Sequence, residues 1–171
     1  MSPLSLEDQV LVALRRITRA IDLHSRELMQ EIGLTAPQLA SMQTIAKMQP
    51  ITVGALAKSI HLSQATMTGI LSRLEARKLV SRSRRGTDKR TVVVELTAEG
   101  QAVLKNAPSL LQDRFRRELL KLREWEQTQM LSTLQRIASL MDAEDLDASP
   151  VLSAGEVMST SEAEDAAYLK E

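Results

Sequence analysis

The chain has no cysteine and only one Trp, one Tyr and one Phe among its 171 residues. Without thiols, disulfides, thiolate metal sites and thiol redox sensing are excluded. So few aromatics leave a core of Leu, Val, Ile, Ala and Met, a mix that favours helices because unbranched side chains lose little rotamer freedom in them. No apolar run approaches the roughly 20 residues of a membrane-spanning helix. The N-terminus lacks a charged stretch leading into an apolar block, so no secretion signal is read there. The expectation is a cytoplasmic chain with no membrane partner, one well-packed domain and an appendage. Two lone histidines, His24 and His61, make no metal triad, and there is no nucleophile–base set or phosphate-cradling glycine loop. No enzyme, metal or cofactor is expected.

Acidic and basic residues are equal in number, 22 each, but they are not mixed. Residues 142–171 hold nine acids against Lys170, which leaves 21 bases and 13 acids in residues 1–141, a net of +8. Within that basic body, residues 73–90 carry eight bases (Arg73, Arg77, Lys78, Arg82, Arg84, Arg85, Lys89 and Arg90) against Glu75 and Asp88. On charge alone, this run serves equally well as a solvated helix face. What surrounds it must decide.

Residues 5–31 read as a long helix, with Val10, Leu14, Ile17, Ile21, His24 and Leu28 on one stripe and Gly33 placed to close it. Such a seam suits either a partner chain or the helix's own domain. Thr35 to Gln38 has the form of a capping box. The helix it opens has Leu39, Met42, Ile45, Ala46 and Met48 as its apolar face, and Pro50 stops it; Ile51 is read as a short extended link. From Thr52 a short helix turns Val53, Leu56, Ala57 and Ile60 inward, and His61 is assigned to the turn that follows. Ser63 then caps a second helix whose Met67, Ile70, Leu71 and Leu74 follow the i, i+3, i+4, i+7 spacing. Two short helices, a tight turn and this patterning make a helix-turn-helix.

The outer face of the second helix carries Gln64, Thr68 and Ser72, flanked by Ala65, Gly69 and Arg73. A solvent face more often carries Glu and Lys, and Gly69 costs about 1 kcal/mol of helix propensity. A small polar face suits a backbone that approaches a DNA groove closely enough for side chains to reach base edges. Residues 80–85 and 91–96 are strand-like and joined by a turn at Gly86, a basic hairpin. Coming directly after a helix-turn-helix, that hairpin is a wing. A long helix is expected from Thr97 or Ala98 through Leu122, bent at Pro108. A last one runs from about Glu124 to Met141 with Met130, Leu134, Ile137 and Met141 on one stripe. The acidic, Ser- and Ala-rich residues 146–171 read as a disordered tail.

This order of elements, and the run from Ile51 to Gln101 with its "LSRLEARKLVSR", "DKR" and "LTAEG", resembles the MarR family of bacterial transcriptional regulators. The resemblance covers about residues 5–143. It implies a mainly helical (α+β) winged helix-turn-helix fold. Residues 35–97 would be the DNA-binding part, and residues 5–33 and 98–143 a helical dimerisation region within one domain of residues 1–145. The dimer interface would include Val10, Leu14, Ile17, Ile21, Met130, Leu134, Ile137 and Met141. It also places Asp88 and Arg90 at the family's wing pair, with Arg90 entering the minor groove or gripping the backbone while Asp88 holds the local geometry. The segment "AIDLHSRELMQEIGLTAPQL" is similar to a branch linked to osmolyte, especially ectoine, gene control.

The expected function is a homodimeric repressor of a pseudo-palindromic operator in double-stranded DNA, relieved by a small-molecule or osmotic signal. Base reading and groove contact fall to Ser63, Gln64, Ala65, Thr66, Thr68, Gly69, Ser72 and Arg73. The wing and its flanks, Arg77, Lys78, Arg82, Arg84, Arg85, Thr87, Asp88, Lys89 and Arg90, are the other DNA-binding candidates, with phosphate contact falling to the basic ones. Judged from position, Arg15, Arg19, His24, Arg26 and Met42 are candidates to line an effector pocket, with His24 equally a satisfied interface histidine. An architectural or anti-silencing DNA coat without an effector is the rival reading. A third reading has the acidic tail mimic DNA and compete for the wing.

Overall fold

The structure, a computed structural model, describes residues 4–84, 92–146 and 151–153. Its elements are α1 (Leu6–Glu31), α2 (Ala36–Met48), β1 (Ile51–Thr52), α3 (Val53–Ser59), α4 (Gln64–Ala76), β2 (Val80–Arg84), β3 (Val92–Leu96), α5 (Ala98–Asn106), α6 (Leu111–Leu119) and α7 (Glu124–Leu140).

Local chemistry sets most of these boundaries. Ser5 Oγ accepts the Asp8 N–H at 3.2 Å and opens α1, and Gly33 follows its end in the left-handed region (φ 63). Of the Thr35–Gln38 capping box the sequence predicts, the Gln38 half forms, with Gln38 Oε1 accepting the Thr35 N–H at 3.0 Å. Thr52 and Thr97 cap α3 and α5 through their hydroxyls. The three strands are antiparallel in the order β1-β3-β2, with Val80 opposite Leu96, Arg82 opposite Val94 and Arg84 opposite Val92. Ile51 is more than a link: it pairs with Val94 as an edge strand and is buried.

Residues 34–96, the head of the molecule, share a core cluster of aliphatic and methionine side chains, among them Met42, Ile45, Leu56, Met67, Leu71, Leu74, Val80 and Val94. Burial on α2 is concentrated in its first half: Ala36 to Met42 and Ile45 are buried, whereas Ala46 and Met48, in the last turn, are exposed.

The helix expected over residues 98–122 is two helices. Ala107 is extended (ψ 139), since the residue before Pro108 is pushed out of the helical region and Pro108 itself has no N–H to donate. The chain re-enters helix only at Leu111. Beyond the head, α6 and α7 bury none of their residues. Within the expected tail, residues 151–153 are folded against the body, with Val151 buried. The other residues of that tail from 147 on lie outside the described residues.

Candidate DNA interface

α4 is closed at both ends. Ser63 Oγ accepts the Thr66 N–H at 3.1 Å and shares a 2.8 Å hydrogen bond with Thr66 Oγ1. At the other end Lys78 is left-handed (φ 58); its N–H is donated to Glu75 O at 2.8 Å, and the Leu79 N–H to Leu74 O at 2.9 Å. This is a Schellman closure with lysine where glycine would sit without strain, at a cost on the order of 1 kcal/mol. The cation it places there faces the negative end of the helix. α3 ends the same way at His61 (φ 54), where the Leu62 N–H reaches Ala57 O at 3.0 Å.

Met67, Ile70, Leu71 and Leu74 are buried, which turns Gln64, Ala65, Thr68, Ser72 and Arg73 to the surface and leaves Thr66 and Gly69 half-covered. Thr68 donates its hydroxyl to Gln64 O at 2.8 Å, presenting its methyl and oxygen lone pairs outward. A Cβ built on Gly69 would meet nothing within 4 Å. Internal packing therefore does not require glycine at this position. The gap it leaves is on the outer side of the helix.

The basic side chains divide into two groups. Arg82 donates Nε to Glu75 Oε2 at 2.8 Å, pairs with the same oxygen through Nη2, and donates Nη2 to Ser72 Oγ at 3.2 Å. The hydrogen bond from Arg82 holds the Glu75 carboxyl below the usual carboxylate range. A depressed pKa means that this tie is intact at neutral pH and is lost as the pH falls through the lowered pKa of the Glu75 carboxyl. Arg77 donates Nη2 to Ile32 O at 3.1 Å and Nη1 to Gly33 O, which caps the C-terminus of α1. Both arginines therefore hold α4 in place, Arg82 to the wing strand and Arg77 to α1. Arg73, Lys78 and Arg84 are exposed, and their side chains make no hydrogen bond or ion pair with another described residue. By strand alternation Arg84 continues the row of Val80 and Arg82. Arg85, Thr87, Asp88, Lys89 and Arg90 lie outside the described residues.

The two groups can be told apart. Arg77→Ala should weaken DNA binding by loosening α4 from α1 while leaving the slope of log K against log salt unchanged. A lost phosphate contact lowers that slope by about 0.9. Filter binding or anisotropy across a salt series measures it, and a lower slope would return Arg77 to the phosphate contacts.

Comparison with known proteins agrees with this geometry. The family model for the MarR family matches residues 34–92. The transcriptional regulator HosA of Escherichia coli is 36% identical over 96 residues, covering 56% of this chain and 71% of HosA. The chain belongs to the MarR family. The organic hydroperoxide resistance transcriptional regulator of Bacillus subtilis is 28% identical over 102 residues, 60% of this chain and 69% of that one. The crystal structure of the S. aureus MepR–DNA complex shares the fold with TM-score 0.57 at 20% identity, over 81% of this chain and 99% of MepR. BldR of Sulfolobus solfataricus gives TM-score 0.52 at 26% identity, over 82% and 99%. The protein is thus a MarR-type DNA-binding transcriptional regulator with a winged-helix fold, not an enzyme.

Several residues that hold this MarR head together escaped the sequence reading. Gln49 Oε1 accepts the Leu96 N–H at 2.9 Å, joining the end of α2 to β3. Thr97 Oγ1 donates to Lys78 O at 2.6 Å and accepts the Gly100 N–H at 3.0 Å. Gly100 sits so close to Leu79 that a Cβ would fall 2.0 Å from its carbonyl oxygen. The "LTAEG" string is thus the clamp of α5 onto the end of α4. Glu75 had one available signal, as the only acid between Gln64 and Arg84.

The five effector-pocket candidates do not come together. Met42 is fully buried in the core of the head, because its helical spacing with Leu39 and Ile45 is a core stripe. Arg15 and Arg19 lie on a shallow face of α1; Arg19 and Arg26 both pair with Asp22, at 3.6 and 3.0 Å. His24 is buried where α1 meets α6. A cleft of about 260 Å³ lies elsewhere, between α2, the turn at His61 and α6, with Lys47, Asp113 and Arg116 among its lining residues. None of the five lines it. Among the described residues no group of His and acids could hold a metal, and no helix is long and apolar enough to cross a membrane.

Proposed function

We propose that the protein is a homodimeric repressor that lays α4 of each protomer in the major groove of a pseudo-palindromic operator, with the wing tip at Arg90 on the adjacent minor groove or backbone. The observation that carries the dimer is the uncovered apolar surface of α1 and α7. Val10 and Ile17 are 43% and 51% exposed, Leu14 and Ile21 half-buried; Met130, Leu134 and Met141 are 45%, 48% and 64% exposed, and Ile137 half-buried. Apolar stripes of this length seldom face water on a soluble monomer. They come from the two ends of the chain, residues 5–33 and 98–143, and suit one intersubunit layer beneath two heads formed by residues 35–97.

The exposed face of Gln64, Thr68 and Ser72, with the gap at Gly69, supports α4 as the reading helix. Repression is supported by relatives named as the HTH-type transcriptional repressor NicR of Pseudomonas putida and the homoprotocatechuate degradative operon repressor of E. coli. Relief by a small-molecule or osmotic signal belongs to the same reading. A thiol switch does not, since the chain contains no cysteine.

Gln64→Ala tests the assignment of α4. It should change which sequences are selected at its position, costing about 1–3 kcal/mol on the preferred base, while nonspecific binding stays the same. An unaltered selected-site profile would remove Gln64 from the base-reading set.

A further inference from the structure

The chain's own C-terminal segment closes a seam that the DNA reading leaves unexplained. Val151 is 8% exposed and packs in one cluster with Leu28 of α1, Ala36, Leu39 and Ala40 of α2, and Leu110 at the entry to α6. The Leu152 N–H is donated to Gln112 Oε1 of α6 at 3.0 Å. These partners lie on both sides of one boundary. α2 belongs to the head, whereas α1 and α6 belong to the proposed dimerisation helices. A second tie lies close by on the dimerisation side, where His24 Nε2 of α1 accepts the Leu111 N–H at 3.1 Å and so holds the first amide of α6 to α1.

The seam is thin, since α6 itself buries no residue and only Leu110 before it is fully covered. Val151 adds apolar atoms where the joint has few.

We propose that residues 151–153 are a detachable strap seated in the groove between α1, α2 and α6, and that it fixes the orientation of the reading head against the dimerisation helices. A head held in one orientation has less freedom to lose when two heads must meet one duplex, so the strapped state binds DNA more tightly. A joint of three residues, seated by the Val151 side chain and tied through the Leu152 N–H, opens without unfolding the head.

Two full-length variants test this. Val151→Asp places a charge in the apolar seat, and Leu152→Pro deletes the N–H that Gln112 accepts. In both, amide hydrogen exchange over residues 24–40 and 107–113 should quicken by about tenfold while residues 64–76 keep the parent rate. DNA affinity at fixed salt should fall about three- to tenfold with an unchanged salt slope. Unchanged exchange in both variants would overturn the strap. So would faster exchange throughout residues 64–76, since the segment would then be part of the fold rather than separable from it. Seam opening with unaltered DNA affinity would overturn its role in orienting the head. The exchange arm uses no DNA, so failure of the strap and failure of the DNA reading are distinguishable.

Discussion

Gly100→Ala should destabilise the head by about 3 kcal/mol or more. The added methyl would lie 2.0 Å from the Leu79 carbonyl oxygen and 2.9 Å from its carbon, and both are backbone atoms that cannot rotate away. Overpacking a tolerant core site costs about 1–3 kcal/mol, and a collision with backbone lies at or above that range. To relieve it, α5 must move off the end of α4. That breaks the Thr97 bonds to Lys78 and Leu79 that set where α4 stops. For a chain of this length each kcal/mol is worth about 2–4 °C, so the melting temperature should fall by about 6–12 °C. Gly69→Ala is the matched control. With nothing within 4 Å of its Cβ, it should hold or raise the melting temperature, because alanine is better by up to about 1 kcal/mol in a helix interior. Circular dichroism melts of the two variants give the comparison. A Gly100→Ala melt within 2 °C of the parent would mean, on the same scale, that α5 does not pack on Leu79 as described.

In the proposed homodimer, Ile17→Asp combined with Leu134→Asp should leave a monomer whose head stays folded. Both residues are about half exposed in the single chain, so neither substitution opens a cavity in the protomer's own core. In a dimer the same positions would be buried, and an unpaired carboxylate there costs several kcal/mol. Once the two heads are unlinked, the gain from binding both half-sites at once is lost, a factor of about 10² to 10⁴ in operator affinity. Sedimentation velocity reports the mass and anisotropy the affinity. A dimer that persists in the double variant would move the interface away from α1 and α7.

How legible each part was depends on the range of the interaction. The caps at Thr35, Thr52 and Ser63, and the buried quartet Met67, Ile70, Leu71 and Leu74, are set within one or two helical turns. Periodicity and capping chemistry therefore reveal them. Ile51 was read as a link because two residues carry no period-2 pattern; its strand character comes from Val94, far along the chain. The roles of Arg77 and Arg82 were hidden for the same reason. A run of arginines beside a reading helix resembles a phosphate contact, and only the fold brings the carbonyls of Ile32 and Gly33, or the Glu75 carboxylate, within reach. Met42 was misplaced because a position between two expected regions suggested a pocket, although its own spacing already marked it as core. Pro108 predicts a bend from sequence alone, whereas the backbone at Ala107 leaves the helix altogether.

The stripes on α1 and α7 were also legible, though what covers them is not contained in one chain. Together with α4 they make the central claim, a symmetric pair of heads that reads two related half-sites. Selection of binding sites from random duplex DNA by the full-length protein tests it most directly. The account predicts a single inverted repeat with half-sites about one helical turn apart. Recovery of no consensus, as from a protein that coats DNA without reading it, or of one unrepeated half-site, would contradict it.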